Sequence, residues 1–463
     1  MLRPLYAGAA SLATHAGPVV GETLALGAGD GNKLVRTLRA RRGVIERWEA
    51  LAAQHRDGSR PLVWMHAPSV GEGLQARPVA HALRAQHPSV QLAYSFFSPS
   101  AERFASSIGA DFSDYLPFDT RDAADRLLHA LRPSALVFAK LDIWPTLVER
   151  AAALGVPVIL LSGTVAPASG RRGRFARALL HDAYHALDAV GAIDEANGER
   201  LVELGVRRDA LHITGDTRFD QVWERAQQVN RESPLLKTLA SHRPTLVAGS
   251  TWPADEAVLL PAWDRIRAAQ PDARLIIAPH EPTAEHNAPI IAWAAARGLT
   301  LSTLSAIERD IEPDIERDGE PGIEHRQAND LSIENVDVVL VDRVGVLGDL
   351  YALANTAFVG GGFHSAGLHS VIEPAAYGVP VLFGPRHDMS REAGLLLAAG
   401  GAESPVDIDS LSTALRRWLL DDAWQPAGAH ARAVVEQELG ATARALAIVT
   451  ARGRLRLPIT GMA

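Results

Sequence analysis

The 463-residue chain has no cysteine, which excludes disulfides and thiolate chemistry and is compatible with a reducing compartment. It has no basic stripe with interleaved aromatics, so nucleic acid is not an expected partner. His280-Glu281 has Ala284 where the H-E-x-x-H pattern needs its second histidine, and His364 and His369 are five apart, the wrong spacing for one helix face. No metal site is therefore expected. No G-x-S-x-G surrounds Ser69, which removes a hydrolase elbow. The uncharged stretch Pro4 to Gly21 contains two prolines and several glycines, a poor spanning helix, and lacks the basic start and compact apolar core of a secretory signal.

What the chain does contain is globular. Hydrophobic residues make up 47% and charged residues 22%, and the length suggests two domains of roughly 200 residues each. The formal charge of −8 is concentrated: Glu308 to Glu334 carries ten acids against three arginines, a net of −7, which leaves the rest near −1. Such a run reads as a solvated loop. Lys33, Arg36, Arg39, Arg41, Arg42 and Arg47 follow the uncharged N-terminal stretch and could meet anionic headgroups. Residues 1–50 are thus expected to be a membrane-associated or plain helical arm.

Strand-like and helix-like segments alternate thereafter. PLVWMHA, VQLAYSFF, ALVFA, VPVILLSG, AVGAID and LHITG are separated by amphipathic stretches, and the pattern restarts after Pro244 with TLVAGS, RLIIAP, VDVVLVD, TAFVGGG and PVLFG. This spacing predicts an α/β protein with two doubly wound, Rossmann-like halves, 51–225 and 240–445, facing across a cleft. Ligands of such sheets bind beyond the carboxyl ends of the strands.

Five of those strand ends carry candidate chemistry. Pro68-Ser69-Val70-Gly71-Glu72-Gly73 reads as a tight glycine turn whose flanking glycines leave Glu72 accessible as a general base; a carboxylate beside a helix N-terminus is also favoured simply by the dipole. Gly360-Gly361-Gly362 would let phosphate or ribose approach backbone amides, and a helix from near His369-Ser370 would carry Glu373, with Ser370-x-x-Glu373 also readable as a capping box. Lys140 and Asp142 follow ALVFA, where solvation alone would also place a lysine. Arg218 follows LHITG as a cation for a leaving phosphate, and Ser250 and Thr251 sit at a strand-to-helix turn suited to phosphate oxygens.

Taken in order, SVGE, DIWP, GDTRFD, GSTWPADE and GGGFHSAGLHSVIEPAAYGVPVLFGP resemble the family of 3-deoxy-D-manno-octulosonic acid (Kdo) transferases, over nearly the whole chain. The resemblance implies a GT-B fold and inverting transfer of Kdo from CMP-Kdo to a lipid A precursor in lipopolysaccharide synthesis. It also implies no metal or other cofactor, and a place on the cytoplasmic face of the inner membrane. Within it Glu72 matches the family's base and Glu373 its ribose-contacting acid. The first acid of the better-known E-T-E-L-W-P pattern falls on Lys140, the L-K-F-D lysine on Arg218, and the nucleotide-contacting P-R-H on Pro279-His280-Glu281. A Gly-Glu pair becomes Gly345-Val346, and the asparagine of H-N-P-L-E becomes Ser370, after His369. Several of these departures resemble a Bacteroidetes-type branch with K-Y-E-F-W, G-D-T-R-F-D and A-P-H-E. Another GT-B transferase, a UDP-sugar 2-epimerase and a non-catalytic sugar-binding protein share the architecture and remain alternatives at this stage.

Overall fold

The computed structural model describes residues 33–311, 333–365, 367–419, 421, 423–453 and 455. The Pro4–Gly21 stretch and residues 312–332 of the acidic run lie outside the described residues. The chain divides into two compact units, residues 1–221 with 438–463, and residues 222–437.

The first unit is built on seven parallel strands: β1 (Leu62–His66), β2 (Gln91–Phe96), β3 (Phe112–Tyr115), β4 (Ala135–Ala139), β5 (Val158–Gly163), β6 (Ala189–Ala192) and β7 (Leu211–Ile213). Their order is β3-β2-β1-β4-β5-β6-β7, so the winding reverses between β1 and β4. The inner strands are buried along their whole length, as both faces of a parallel sheet covered by helices require.

The second unit holds β8 (Thr245–Thr251), β9 (Arg274–Pro279), β10 (Leu301–Thr303), β11 (Val338–Leu340), β12 (Thr356–Val359), β13 (Val381–Phe383) and β14 (Ala402–Glu403), again all parallel, in the order β10-β11-β9-β8-β12-β13-β14. Alternate residues feed two separate cores: Leu246, Ala248, Leu275 and Ile277 pack on one face, Val247, Ile276 and Ala278 on the other. The period of two along each strand is what divides them. Here the winding reverses between β8 and β12.

Two expected boundaries are corrected. The helix Val44–His55 is no detached arm: Val44, Ile45, Trp48 and Ala52 are buried in the first unit's core, and the Trp48 indole donates to the Tyr115 carbonyl at 2.8 Å. The cations at this end are partly spent inward. Arg41 is buried, lies 3.5 Å over the Phe97 ring and donates to the carbonyls of Leu116, Thr37 and Phe97; burial pulls its pKa down to about 10. Arg47 is paired with Asp114 at 2.6 Å. At the other end, the helix Ala441–Arg452 belongs to the first unit, not the second. Ala445, Leu446 and Val449 are buried in its core, and the Asp220 carboxylate caps the helix start by accepting from the Gly440 and Thr442 amides at 2.7 and 2.6 Å.

Candidate active site

The reversal between β1 and β4 brings two segments 68 residues apart to one strand edge. Glu72 follows β1 and Lys140 follows β4, and Lys140 Nζ lies 3.2 Å from Glu72 Oε1. The Ser69 hydroxyl donates to the other carboxylate oxygen. Burial pushes the Glu72 pKa up, but the Ser69 hydroxyl and the Lys140 ammonium outweigh it, and the net shift is downward. Glu72 is thus held as a carboxylate, with 18% of its side chain exposed.

Glu72 does not sit in a glycine turn. The helix runs Val70–Gln86 with Ser69 as its N-cap, so the acid occupies the helix's first turn. The two glycines also differ in role. A Cβ at Gly73 would overlap the Phe104 ring and crowd the Tyr94 hydroxyl, whereas one at Gly71 would meet nothing nearer than Ser69 Oγ at 3.9 Å. Gly73 therefore allows close packing, and the opening beside the acid comes from Gly71.

Lys140 adopts φ 67°, a left-handed conformation that costs a bulky residue about 1–3 kcal/mol and persists only where surroundings enforce it. Its amide donates to the Leu161 carbonyl at 2.7 Å, which fixes the turn. Two residues on, Asp142 pairs with Arg171 at 2.8 Å, and Arg171 also donates to the Leu141 carbonyl. Arg171 lies 29 residues from Asp142 in a glycine-flanked 3-10 turn, and no local pattern marks it. Beneath the site His66 is fully buried at the end of β1, its Nδ1 3.0 Å from Ser95 Oγ; burial pulls its pKa down to about 4. Arg218 is not a loose cation: within the helix Thr217–Gln228, its guanidinium grips the buried Asp216 carboxylate at 2.6 Å.

The second unit gathers its candidates at the β8/β12 reversal, but around a residue that the motif reading passed over. Asp255 is fully buried and accepts three backbone amides: Trp252 at 2.9 Å, Gly361 at 2.7 Å and Phe363 at 3.0 Å. It staples the glycine loop to the start of the helix Pro253–Ala269. The amide of Gly360 is also taken, by the Gly249 carbonyl. The expectation that the glycine triplet opens its amides to a ligand is corrected for Gly360 and Gly361, whose amides are engaged within the fold. Side chains at Gly360, Gly361 and Gly362 would collide with the backbones of Ser250, Gly367 and Gly384, so the three glycines permit backbone to pack on backbone.

Thr251 is likewise committed, since its hydroxyl donates to the buried Glu256 at 2.8 Å rather than standing free for phosphate. Ser250 beside it has φ 55° and is partly exposed. Trp252 organises the rim. Its ring stacks on His364 at 4.3 Å and on His280 at 4.5 Å, and its indole donates to His369 Nε2 at 3.1 Å. Burial, reinforced by His280, lowers the His369 pKa to about 4, so the ring is neutral and its Nε2 is the acceptor. His280 follows Pro279, the last residue of β9.

The capping box at Ser370 is not formed. The helix is Ile372–Ala376 with Val371 as N-cap and no side-chain cap. Burial raises the Glu373 pKa, against the opposing pull of Arg225 and the Ser370 hydroxyl. Arg225 bonds Asp349 at 2.9 Å and reaches the carbonyl of Gly345, whose φ of 97° only glycine adopts easily. Among the described residues no group of three or more His, Asp or Glu is placed to hold a metal, and no helix is long and apolar enough to cross a membrane.

Two parallel, doubly wound units with carboxylates, cations and stacked imidazoles collected at their strand-order reversals define a GT-B protein. The solved structures agree: a putative UDP-N-acetylglucosamine 2-epimerase from Listeria monocytogenes superposes with a TM-score of 0.56 over 87% of this chain and 100% of its own, at 13% identity. That likeness shows the fold alone. Sequence decides the family. Residues 36–221 match the family described as 3-deoxy-D-manno-octulosonic-acid transferase (kdotransferase). The 3-deoxy-D-manno-octulosonic acid transferase of Bordetella pertussis is 31% identical over 434 residues, 88% of this chain and 93% of that protein. Its counterpart from Haemophilus influenzae is 25% identical over 77% of both chains. The chain belongs to this Kdo transferase family and is a glycosyltransferase.

Proposed function

We propose that the protein transfers Kdo from CMP-Kdo to a lipid A precursor at the cytoplasmic face of the inner membrane, in lipopolysaccharide core synthesis, with Glu72 as the base. The observation that carries the reading is the ionised Glu72 carboxylate, held between Ser69 and Lys140 at the β1/β4 reversal of a Kdo transferase family member.

In this mechanism the acceptor's hydroxyl proton passes to Glu72 as its oxygen forms a bond to the anomeric carbon of Kdo. The bond from that carbon to the phosphate oxygen of CMP breaks on the opposite face, and CMP departs with the electron pair. Base catalysis of this kind contributes about 10²–10⁴-fold. Because Lys140 and Ser69 lower the proton affinity of Glu72, the carboxylate is available at neutral pH, and proton transfer accompanies attack rather than preceding it. Lys140 would balance charge on the substrates' phosphate or carboxylate groups, with Arg218, held by Asp216, and Ser69, Gly71 and Asp142 shaping the acceptor side.

On the donor side, Ser250, Thr251, Pro279, His280, Gly345, Gly361, Gly362, His369, Ser370 and Glu373 frame the nucleotide. Thr251, Gly361 and Gly362 would act there by setting the backbone, and the neutral His369 by donating from Nδ1. Glu373 would take the ribose hydroxyls. The transfer step is proposed to need no metal, so activity should survive chelation by EDTA. Glu72→Ala should abolish transfer from CMP-Kdo to lipid A precursor while CMP binding persists; full transfer by that variant would remove Glu72 from the role.

A further inference from the structure

The helix Arg174–His185 begins just after the turn that supplies Arg171 to Asp142. Its inner side is anchored by Ala183 and Tyr184, both fully buried, with the Tyr184 hydroxyl donating to the Leu141 carbonyl at 3.2 Å. Its outer side exposes Arg174, Phe175, Arg177, Ala178, His181, Asp182 and His185. Phe175 is 80% exposed, which leaves most of an aromatic ring in water.

The charges here oppose the helix's own stability. Arg171, Arg172, Arg174 and Arg177 crowd its start, its first turn has no acid, and no side chain caps it. The positive end of a helix dipole favours anions there, so a cluster of cations at this end is unfavourable until an external anion arrives. Arg172 is paired with Glu203, but no carboxylate is paired with Arg174 or Arg177 among the salt bridges of the described residues.

We propose that this helix face docks on an anionic lipid surface, with Phe175 entering the headgroup boundary and Arg174 and Arg177 meeting lipid phosphates. One exposed aromatic ring beside two arginines, with the single acid Asp182 two turns further along, suits a bilayer, where the ring is buried and the arginine stems lie along the interface. A protein partner would need a broader apolar centre than one phenylalanine and one alanine supply. The inference rests on the proposed reaction in one respect: through Arg171 and Asp142, docking would hold the Glu72–Lys140 edge near the lipid from which the acceptor comes.

The absence of cysteine from the chain allows a direct test with full-length protein. Phe175→Cys labelled with an environment-sensitive fluorophore should shift to the blue with phosphatidylethanolamine/phosphatidylglycerol vesicles, and revert in high salt. The same label at Met389→Cys, a 79% exposed site in the other unit, should not respond. In unlabelled protein, Arg174→Gln with Arg177→Gln should weaken vesicle partitioning about 25-fold, from roughly fivefold per arginine. Turnover of CMP-Kdo with detergent-dispersed acceptor should stay at the wild-type level in that variant. No shift at position 175, an equal shift with phosphatidylcholine vesicles or with a DNA oligonucleotide, or unchanged partitioning of the double variant would each overturn the proposal. Absence of turnover in the wild type would instead count against the proposed reaction and leave the vesicle result standing.

Discussion

Replacing Lys140 by methionine removes a charge 3.2 Å from Glu72 Oε1 and keeps most of the side-chain bulk. At an effective dielectric of about 20, two unit charges at that distance attract by about 5 kcal/mol. The ammonium side chain is 44% exposed, however, and its solvation and mobility cut the net coupling to about 1 kcal/mol. Removing it should make the carboxylate bind a proton about fivefold more tightly. The sign follows from the observed shift: Lys140 and Ser69 depress the Glu72 pKa against burial, so losing the cation raises it. The acid limb of the kcat/KM profile for Kdo transfer should therefore move to higher pH in Lys140→Met and return toward wild type in Lys140→Arg. Backbone strain supplies a second readout. With φ at 67°, Lys140→Gly should be more stable than Lys140→Met by about 1 kcal/mol in urea unfolding, although both lack the charge. An acid limb that stays in place, or moves to lower pH, in Lys140→Met would refute the coupling of Glu72 to this cation.

Gly73→Ala should destabilise the first unit by about 1–3 kcal/mol, because its methyl would displace the Phe104 ring, whereas Gly71→Ala should be neutral or slightly stabilising in the helix's first turn; equal thermal shifts for the two would contradict the assigned roles. Asp255→Asn exchanges one acceptor oxygen of the buried staple for a donor and should cost about 2–4 kcal/mol, with a matching loss of donor affinity by calorimetry; unchanged unfolding of the second unit would show that the three amides do not depend on it. His66 and His369 are both held neutral, with pKa values of about 4 against 6.5 for the free side chain. The unfolded chain therefore takes up these protons first, and stability should fall as pH drops from about 6.5 to about 4, by on the order of 3 kcal/mol for the fully buried His66 and by less for the part-exposed His369, where solvent screens the penalty; a flat dependence of unfolding free energy on pH in that window would refute it.

The sequence by itself determined the class of fold and the position of Glu72. Alternating strands and amphipathic helices are local patterns, carried by residues two, three or four apart, and they announced two doubly wound sheets. They placed Glu72 after the first strand for the same reason. They did not reveal β3, β10 or β14, short strands at or near the sheet edges, where burial is weaker and the apolar signal fades. Nor could they assign the glycine triplet, since a glycine needed for an approaching ligand and one needed for an approaching backbone look alike in sequence. Only tertiary structure decided the partners. Glu72 meets Lys140 because strand order places β4 beside β1, and Asp142 meets Arg171 across 29 residues. Asp255 reaches an amide 106 residues away, and the helix Ala441–Arg452 returns to the first unit, where Asp220 caps it and Ala445, Leu446 and Val449 join the core. These contacts join segments distant in the chain, and no periodicity records which strand will lie next to which. The acid between two glycines was thus legible as a candidate, while its pairing with Lys140 became visible only once β1 and β4 lay side by side.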